Sequence, residues 1–189
     1  MTTKAEARKR IIDYLKKYNI HHHLLNDSSQ PIIDIRDLTL YAQFSVEETP
    51  DQLAECSIWF YEDGLEVRGY YSENAASWVS KHKDHIPDVM QVINYMNARV
   101  FLGNLLYTPR LYLTADEQPE FAITTIIPYR FFEDAEIETL EYITCYYPEF
   151  LGKASLPLFL TLLGDITPEM AIYHIRTEIL NENNAKGKE

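Results

Sequence analysis

The chain has 189 residues, 46% of them hydrophobic, and a formal net charge of −12. That length suits one domain with a core large enough to hold without staples, and the charge opposes the field of a nucleic-acid backbone, which argues against a general DNA or RNA binder. Cys56 and Cys145 stand far apart, which is neither a disulfide framework nor a zinc pattern and suits a reducing compartment.

The first residues carry no apolar signal core. Residues 4–19 then place Ala7, Ile11, Tyr14, Leu15 and Tyr18 at helical spacing, with Lys4, Arg8, Lys9, Arg10, Lys16 and Lys17 around them. An opposite, acidic pole lies at 116–149, where Asp116, Glu133, Asp134, Glu136, Glu138 and Glu141 stand near a single Arg130. Such asymmetry steers a partner or orients self-association, or it is two solvated helix faces. Ile20–Leu25 has the length of a short strand, and Asn26-Asp27-Ser28-Ser29 reads as a turn. From Leu40 the period becomes two: Leu40, Ala42, Phe44 and Val46 alternate with Tyr41, Gln43 and Ser45.

Ser57–Tyr61 and Leu65–Tyr71 flank Asp63-Gly64, a hairpin pair because glycine tolerates positive φ. Parity puts Ile58, Phe60, Leu65 and Val67 on one face and Trp59, Tyr61, Glu66, Arg68 and Tyr70 on the other. Ser72–Ser77 reads as a polar connection. A second helix is expected from Ile86, with Pro87 in its first turn and Val89, Val92, Ile93 and Met96 as its stripe. Strands are expected at 100–107, 110–115 and 120–128, and a third helix from Glu133 carrying Ile137, Leu140, Ile143 or Thr144, and Tyr147, ended or kinked by Pro148. Beyond it Gly152, Pro157 and Gly164 divide the pattern into short pieces. Leu156–Leu163 is too short to cross a bilayer. Thr167-Pro168-Glu169 opens a last helix with Ala171, Ile172, Ile175 and Ile179 inward. The tail 182–189 is polar and expected to fray.

The element order α-βββ-α-βββ-α, with meandering strands, together with Val92-Ile93-Asn94-Tyr95-Met96-Asn97 leading into Val100-Phe101-Leu102-Gly103 and the strand Phe121–Ile127, resembles the type III secretion chaperone-like fold. Within that fold it resembles the YbjN-type proteins, described as sensory transduction regulators. The resemblance covers residues 4–150, within an expected domain of residues 1–150, with C-terminal helices at 151–181 packed on the same domain. It implies an α+β fold, an antiparallel sheet with helices largely on one side, and a non-enzymatic role in holding or sensing another polypeptide.

No phosphate-cradle, nucleophile-elbow or zinc-protease string occurs, and six glycines leave little room for a phosphate loop. Of His21, His22 and His23, a strand would put His21 and His23 on the same side, and two imidazoles lack the third or fourth ligand a metal site needs. His82, Asp84 and His85 need a converging nucleophile before they can do acid–base work. The clustered acids from Glu133 fit a helix start better than a paired-carboxylate site. Neither metal nor cofactor is therefore expected. What remains is a surface. With Leu40, Phe44, Ile58, Phe60, Leu65, Val67, Leu111 and Leu113 facing the helices, the reverse side carries Tyr41, Trp59, Tyr61, Arg68, Tyr70 and Tyr112, joined by Glu66 and Thr114. Aromatics around an arginine suit protein docking, because they bury large area at modest entropy cost. They also suit sheet packing alone. The expectation is a cytoplasmic, non-catalytic protein-binding or chaperone-like domain whose partner is another protein or a second copy, with no nucleic acid and no membrane. The alternative is a small-molecule sensor with a pocket between the sheet and the C-terminal helices.

Overall fold

The structure, a computed structural model, describes residues 2–20, 22–24, 31–34, 54–71, 73–99, 107, 109–115 and 117–182. Helix α1, Lys4–Lys17, begins at a capping box: the Thr3 hydroxyl accepts from the Glu6 amide while the Glu6 carboxylate accepts from the Thr3 amide at 2.8 Å. Ala7, Ile11 and Leu15 form its buried stripe, as the spacing predicts, whereas Tyr18 at its end is exposed.

Strands β1 (His22–Leu24), β2 (Pro31–Asp34), β3 (Ala54–Phe60), β4 (Gly64–Tyr71), β5 (Arg110–Leu113) and β6 (Phe121–Pro128) make one antiparallel sheet in the order β1-β2-β3-β4-β6-β5. The fold is α+β. The expected strand at 40–46 lies outside the described residues, as does the one at 100–107 except for Tyr107, which is not in a strand. The β3–β4 hairpin keeps the parity register, with Phe60 opposite Leu65 and Ile58 opposite Val67. Its turn residues are Glu62 and Asp63, closed by the Tyr61 amide donating to the Gly64 carbonyl at 2.9 Å. Positive φ is not what Gly64 supplies, since Gly164 is the described glycine with φ above zero. Gly64 is needed for close approach: a Cβ there would sit 2.7 Å from the Ile127 carbonyl oxygen on β6.

Two helices join β4 to β5. Ser72–Ser77 is no plain polar connection, because α2 spans Glu73–Lys81 and buries Ala75, Ala76 and Val79. The polar letters of Ser77 and Ser80 hide a stripe made of small residues and Val79. Helix α3, Ile86–Arg99, buries Val89, Val92, Ile93 and Met96 as expected. Near its end Asn97 clasps the β5 backbone: its amide donates to the Leu111 carbonyl at 2.7 Å and its oxygen accepts from the Leu111 amide at 2.9 Å.

After β6 come α4 (Tyr129–Asp134) and α5 (Glu136–Glu141), separated at Ala135. The third helix thus starts earlier than expected and is broken. Ile137 is 66% exposed rather than buried, since the break rotates it off the stripe that Leu140 and Ile143 keep. A π-turn, Tyr142–Tyr146, carries the chain from α5 into α6, Tyr147–Leu163. Pro148 neither ends nor kinks a helix here; it occupies the first turn of α6, where its missing N–H costs nothing. Nor do Gly152 and Pro157 cut the segment. Twelve of its residues are buried, and that packing exceeds the roughly 3 kcal/mol an interior proline costs. Gly164 closes α6 with φ 78°. Helix α7, Pro168–His174, has Thr167 as its N-cap, as its sequence announces, and Ala171 and Ile175 are buried.

The core lies between the sheet and α6. A Cβ at Gly69 would meet Leu151 at 2.7 Å and Tyr147 at 3.1 Å, so the missing side chain on β4 lets α6 press onto the sheet. Tyr147 is fully buried and donates its hydroxyl to the Ile123 carbonyl. Tyr71 donates to the Leu151 carbonyl at 2.7 Å, and the Tyr142 hydroxyl pairs with Thr125 at 2.7 Å. A tyrosine, with its apolar ring and polar tip, also suits half-buried surfaces and interfaces. These three are core residues whose hydroxyls are tied down, which is the condition for burying them.

Candidate functional site

The other face of the sheet is built by cross-strand register. Trp59 lies opposite Glu66, which lies opposite Ile126; Arg68 lies opposite Thr124, which lies opposite Arg110; Tyr70 lies opposite Ala122, which lies opposite Tyr112. Of the expected surface, Trp59, Tyr61, Arg68, Tyr70 and Tyr112 therefore come together on one side, while Tyr41 lies outside the described residues. On the opposite side Ile58, Leu65 and Val67 have no exposed surface, Leu111 is buried, and Leu113 is partly buried; Leu40 and Phe44 lie outside the described residues. Helix α6 meets the sheet on that buried side through Tyr147 and Leu151, and Asn97 of α3 bonds the backbone of the edge strand β5.

A polar knot sits at the centre of the open face. The Glu66 carboxylate accepts from Arg68 at 2.8 Å and from the Tyr61 hydroxyl at 2.8 Å, and the Arg68 guanidinium lies 5.1 Å from the centre of the Trp59 ring. Trp59 donates its indole N–H to Ser57 at 3.0 Å. Although it points away from the core, Glu66 is only 8% exposed, because these neighbours close over it. Burial pushes its carboxyl upward, but the bonds from Arg68 and Tyr61 outweigh that and hold it below the ordinary value. The same bond to Glu66 raises the Tyr61 hydroxyl. Trp59 and Tyr61 are thereby held in place, and pre-set side chains lose less entropy on binding.

Sequence reasoning missed Ile126. It is 69% exposed in the middle of β6, and the strict alternation of Ile123, Thr125 and Ile127 inward would have placed it outward. The hydrophobic run Ile126-Ile127 concealed that parity. With Tyr61, Gly64, Pro128 and the carboxylate residues Glu62 and Asp63 it lines a cleft of about 550 Å³ at the hairpin end of the face.

Other candidates disperse. The basic and acidic poles partly meet each other inside the molecule: Arg10 pairs with Glu136 at 2.8 Å, and Glu133 accepts from the Thr2 amide at 3.2 Å. Glu133 and Asp134 lie in the last turn of α4, not at a helix start, so the dipole does not explain them; Glu136 and Glu138 do open α5. His82 spends its Nδ1 on the Trp78 carbonyl at 2.9 Å, and His85 packs against Gly164 with Asp88 at 3.9 Å. Of the histidine run, His21 lies outside the described residues, and the His22 Nδ1 lies 2.8 Å from the Ile20 carbonyl. Among the described residues no group of three or more His, Cys, Asp or Glu side chains is placed to hold a metal ion, and no helix is long and apolar enough to cross a membrane.

No family model matches the chain, and no curated protein matches it. Among solved structures it is similar to the crystal structure of YbjN from E. coli, at 10% sequence identity and a TM-score of 0.38, over 72% of this chain and 85% of that one.

Proposed function

We propose that this is a non-catalytic, chaperone-like protein-binding domain that docks another polypeptide chain on the open face of its sheet. The observation that supports the reading most is the sorting of aromatics. The buried side of the sheet is filled by Tyr147, Leu151 and their neighbours, while Trp59, Tyr61, Tyr70, Tyr112 and Ile126 stand on a side against which no described helix packs. Such a face combines aromatic rings, an exposed aliphatic residue at its hairpin end and a fixed arginine, a composition that suits interface cores. The alternative sensor would need space between sheet and C-terminal helices, where the contact of Gly69 with Tyr147 and Leu151 leaves little. The C-terminal helices are part of the support: α6 runs through residue 150 without a break and braces the sheet from behind.

The test is the double variant Tyr61→Ala/Tyr112→Ala. A partner isolated from native lysate with the intact protein is titrated against both forms, and self-association is followed in parallel by sedimentation. The expected result is at least a tenfold loss of partner or self-affinity with far-ultraviolet circular dichroism unchanged. Unchanged affinity moves the site elsewhere, and loss of the fold makes these residues structural.

A further inference from the structure

The open face is not uniform in charge. At the hairpin end the charged residues that line the Ile126 cleft are Glu62 and Asp63, with Glu66 opposite Ile126 and Arg68 3.3 Å from the Tyr61 hydroxyl. Both are exposed, and no described residue forms an ion pair with either. Lys4 and Arg130 lie across the turn, where they share with the same two residues a separate cleft of about 460 Å³. Arg68 is already held by Glu66 at 2.8 Å, and Arg110 sits opposite Thr124, toward the β5 edge. The cleft thus presents an aliphatic floor of Ile126 and Pro128, an aromatic wall of Tyr61, and two uncommitted carboxylates.

We propose that this cleft receives a polypeptide segment in which an aliphatic side chain is flanked by lysine or arginine. The inference rests on the protein-docking reading above and names the chemistry of the docked segment. The aliphatic group covers Ile126, which removes apolar surface from water; the cations meet Glu62 and Asp63. The net charge of −12 works in the same direction, because it raises the encounter rate of cationic segments and repels acidic ones. The Glu66–Arg68 pair cancels the positive charge that would otherwise oppose such a segment at the centre of the face.

The probes are two blocked hexapeptides, one alternating Lys and Leu, the other Glu and Leu, titrated into isotopically labelled full-length protein with amide and methyl shifts recorded. The Lys–Leu peptide is expected to shift Tyr61, Gly64 and Ile126 first, several-fold more weakly at 300 mM than at 50 mM salt, while the Glu–Leu peptide leaves them unmoved. Glu62→Gln/Asp63→Asn should reduce the binding at least fivefold, Glu62→Lys/Asp63→Lys should turn preference to the acidic peptide, and Ile126→Asp should abolish shifts at the cleft. Equal response to both peptides, shifts centred on the acidic α5 surface instead, or no shift at millimolar peptide would overturn the proposal. If the peptides fail while Tyr61→Ala/Tyr112→Ala still releases the natural partner, the basic chemistry is wrong and the docking face stands. The converse result would sink the face and keep the cleft.

Discussion

The two faces of one sheet use the same residue types to opposite ends. On the helix-covered face Tyr71, Tyr142 and Tyr147 are buried with their hydroxyls bonded to Leu151, Thr125 and Ile123. On the other face Tyr61 and Tyr112 are 47% and 37% exposed. The difference teaches that a tyrosine count says nothing about location. What decides is whether a fixed backbone carbonyl or hydroxyl lies within reach of the phenol when the ring is buried.

The contrast breaks most visibly at Tyr147. Tyr147→Ala empties a fully buried site and should cost about 3–5 kcal/mol, read from denaturant midpoints at unchanged slope; Tyr147→Phe should cost only about 1–2 kcal/mol, leaving a buried carbonyl short of a donor. Next comes Gly69→Val, which forces Leu151 and Tyr147 back from β4 and should cost about 1–3 kcal/mol.

Much of this division was legible. Period-two spacing from Ser57 to Tyr71 placed Trp59, Tyr61, Arg68 and Tyr70 together, because strand parity is local and needs no knowledge of the rest of the chain. What failed was tertiary. Nothing near Pro157 or Gly152 shows that α6 is buried on nearly every side, and nothing near Ser77 shows that Ala75, Ala76 and Val79 are buried. Gly69 looks like any strand glycine until Tyr147, far along the chain, is seen against it. The knot at Glu66 was half visible: parity put it beside Arg68, but its burial depends on how Trp59 and Tyr61 fold over it.

Alkaline titration sharpens the comparison. Burial raises Tyr71 and Tyr142 well above the ordinary value of 10.0 and pushes Tyr129 up to about 12. The unfolded chain ionises near 10 and the folded one higher, so the stability these groups contribute is complete below pH 10 and is lost as pH rises through the raised folded values, the first being Tyr129 at about 12. Phenolate absorbance should therefore appear in two stages, the second coincident with loss of circular dichroism. A single stage with the fold intact would mean that the inner rings are accessible. The smallest effect belongs to the open face, where Tyr61→Ala/Tyr112→Ala should change stability by no more than about 1 kcal/mol, measured by thermal unfolding.

Hydroxyl-radical footprinting puts the division to the most direct test, applied to the isolated protein and to its complex with the captured partner. Trp59, Tyr61, Tyr112 and Ile126 should oxidise quickly in the isolated chain and be protected in the complex, while Tyr71, Tyr142 and Tyr147 stay unmodified in both. Slow oxidation of the first group in the isolated chain, or equal oxidation with and without the partner, would contradict the account.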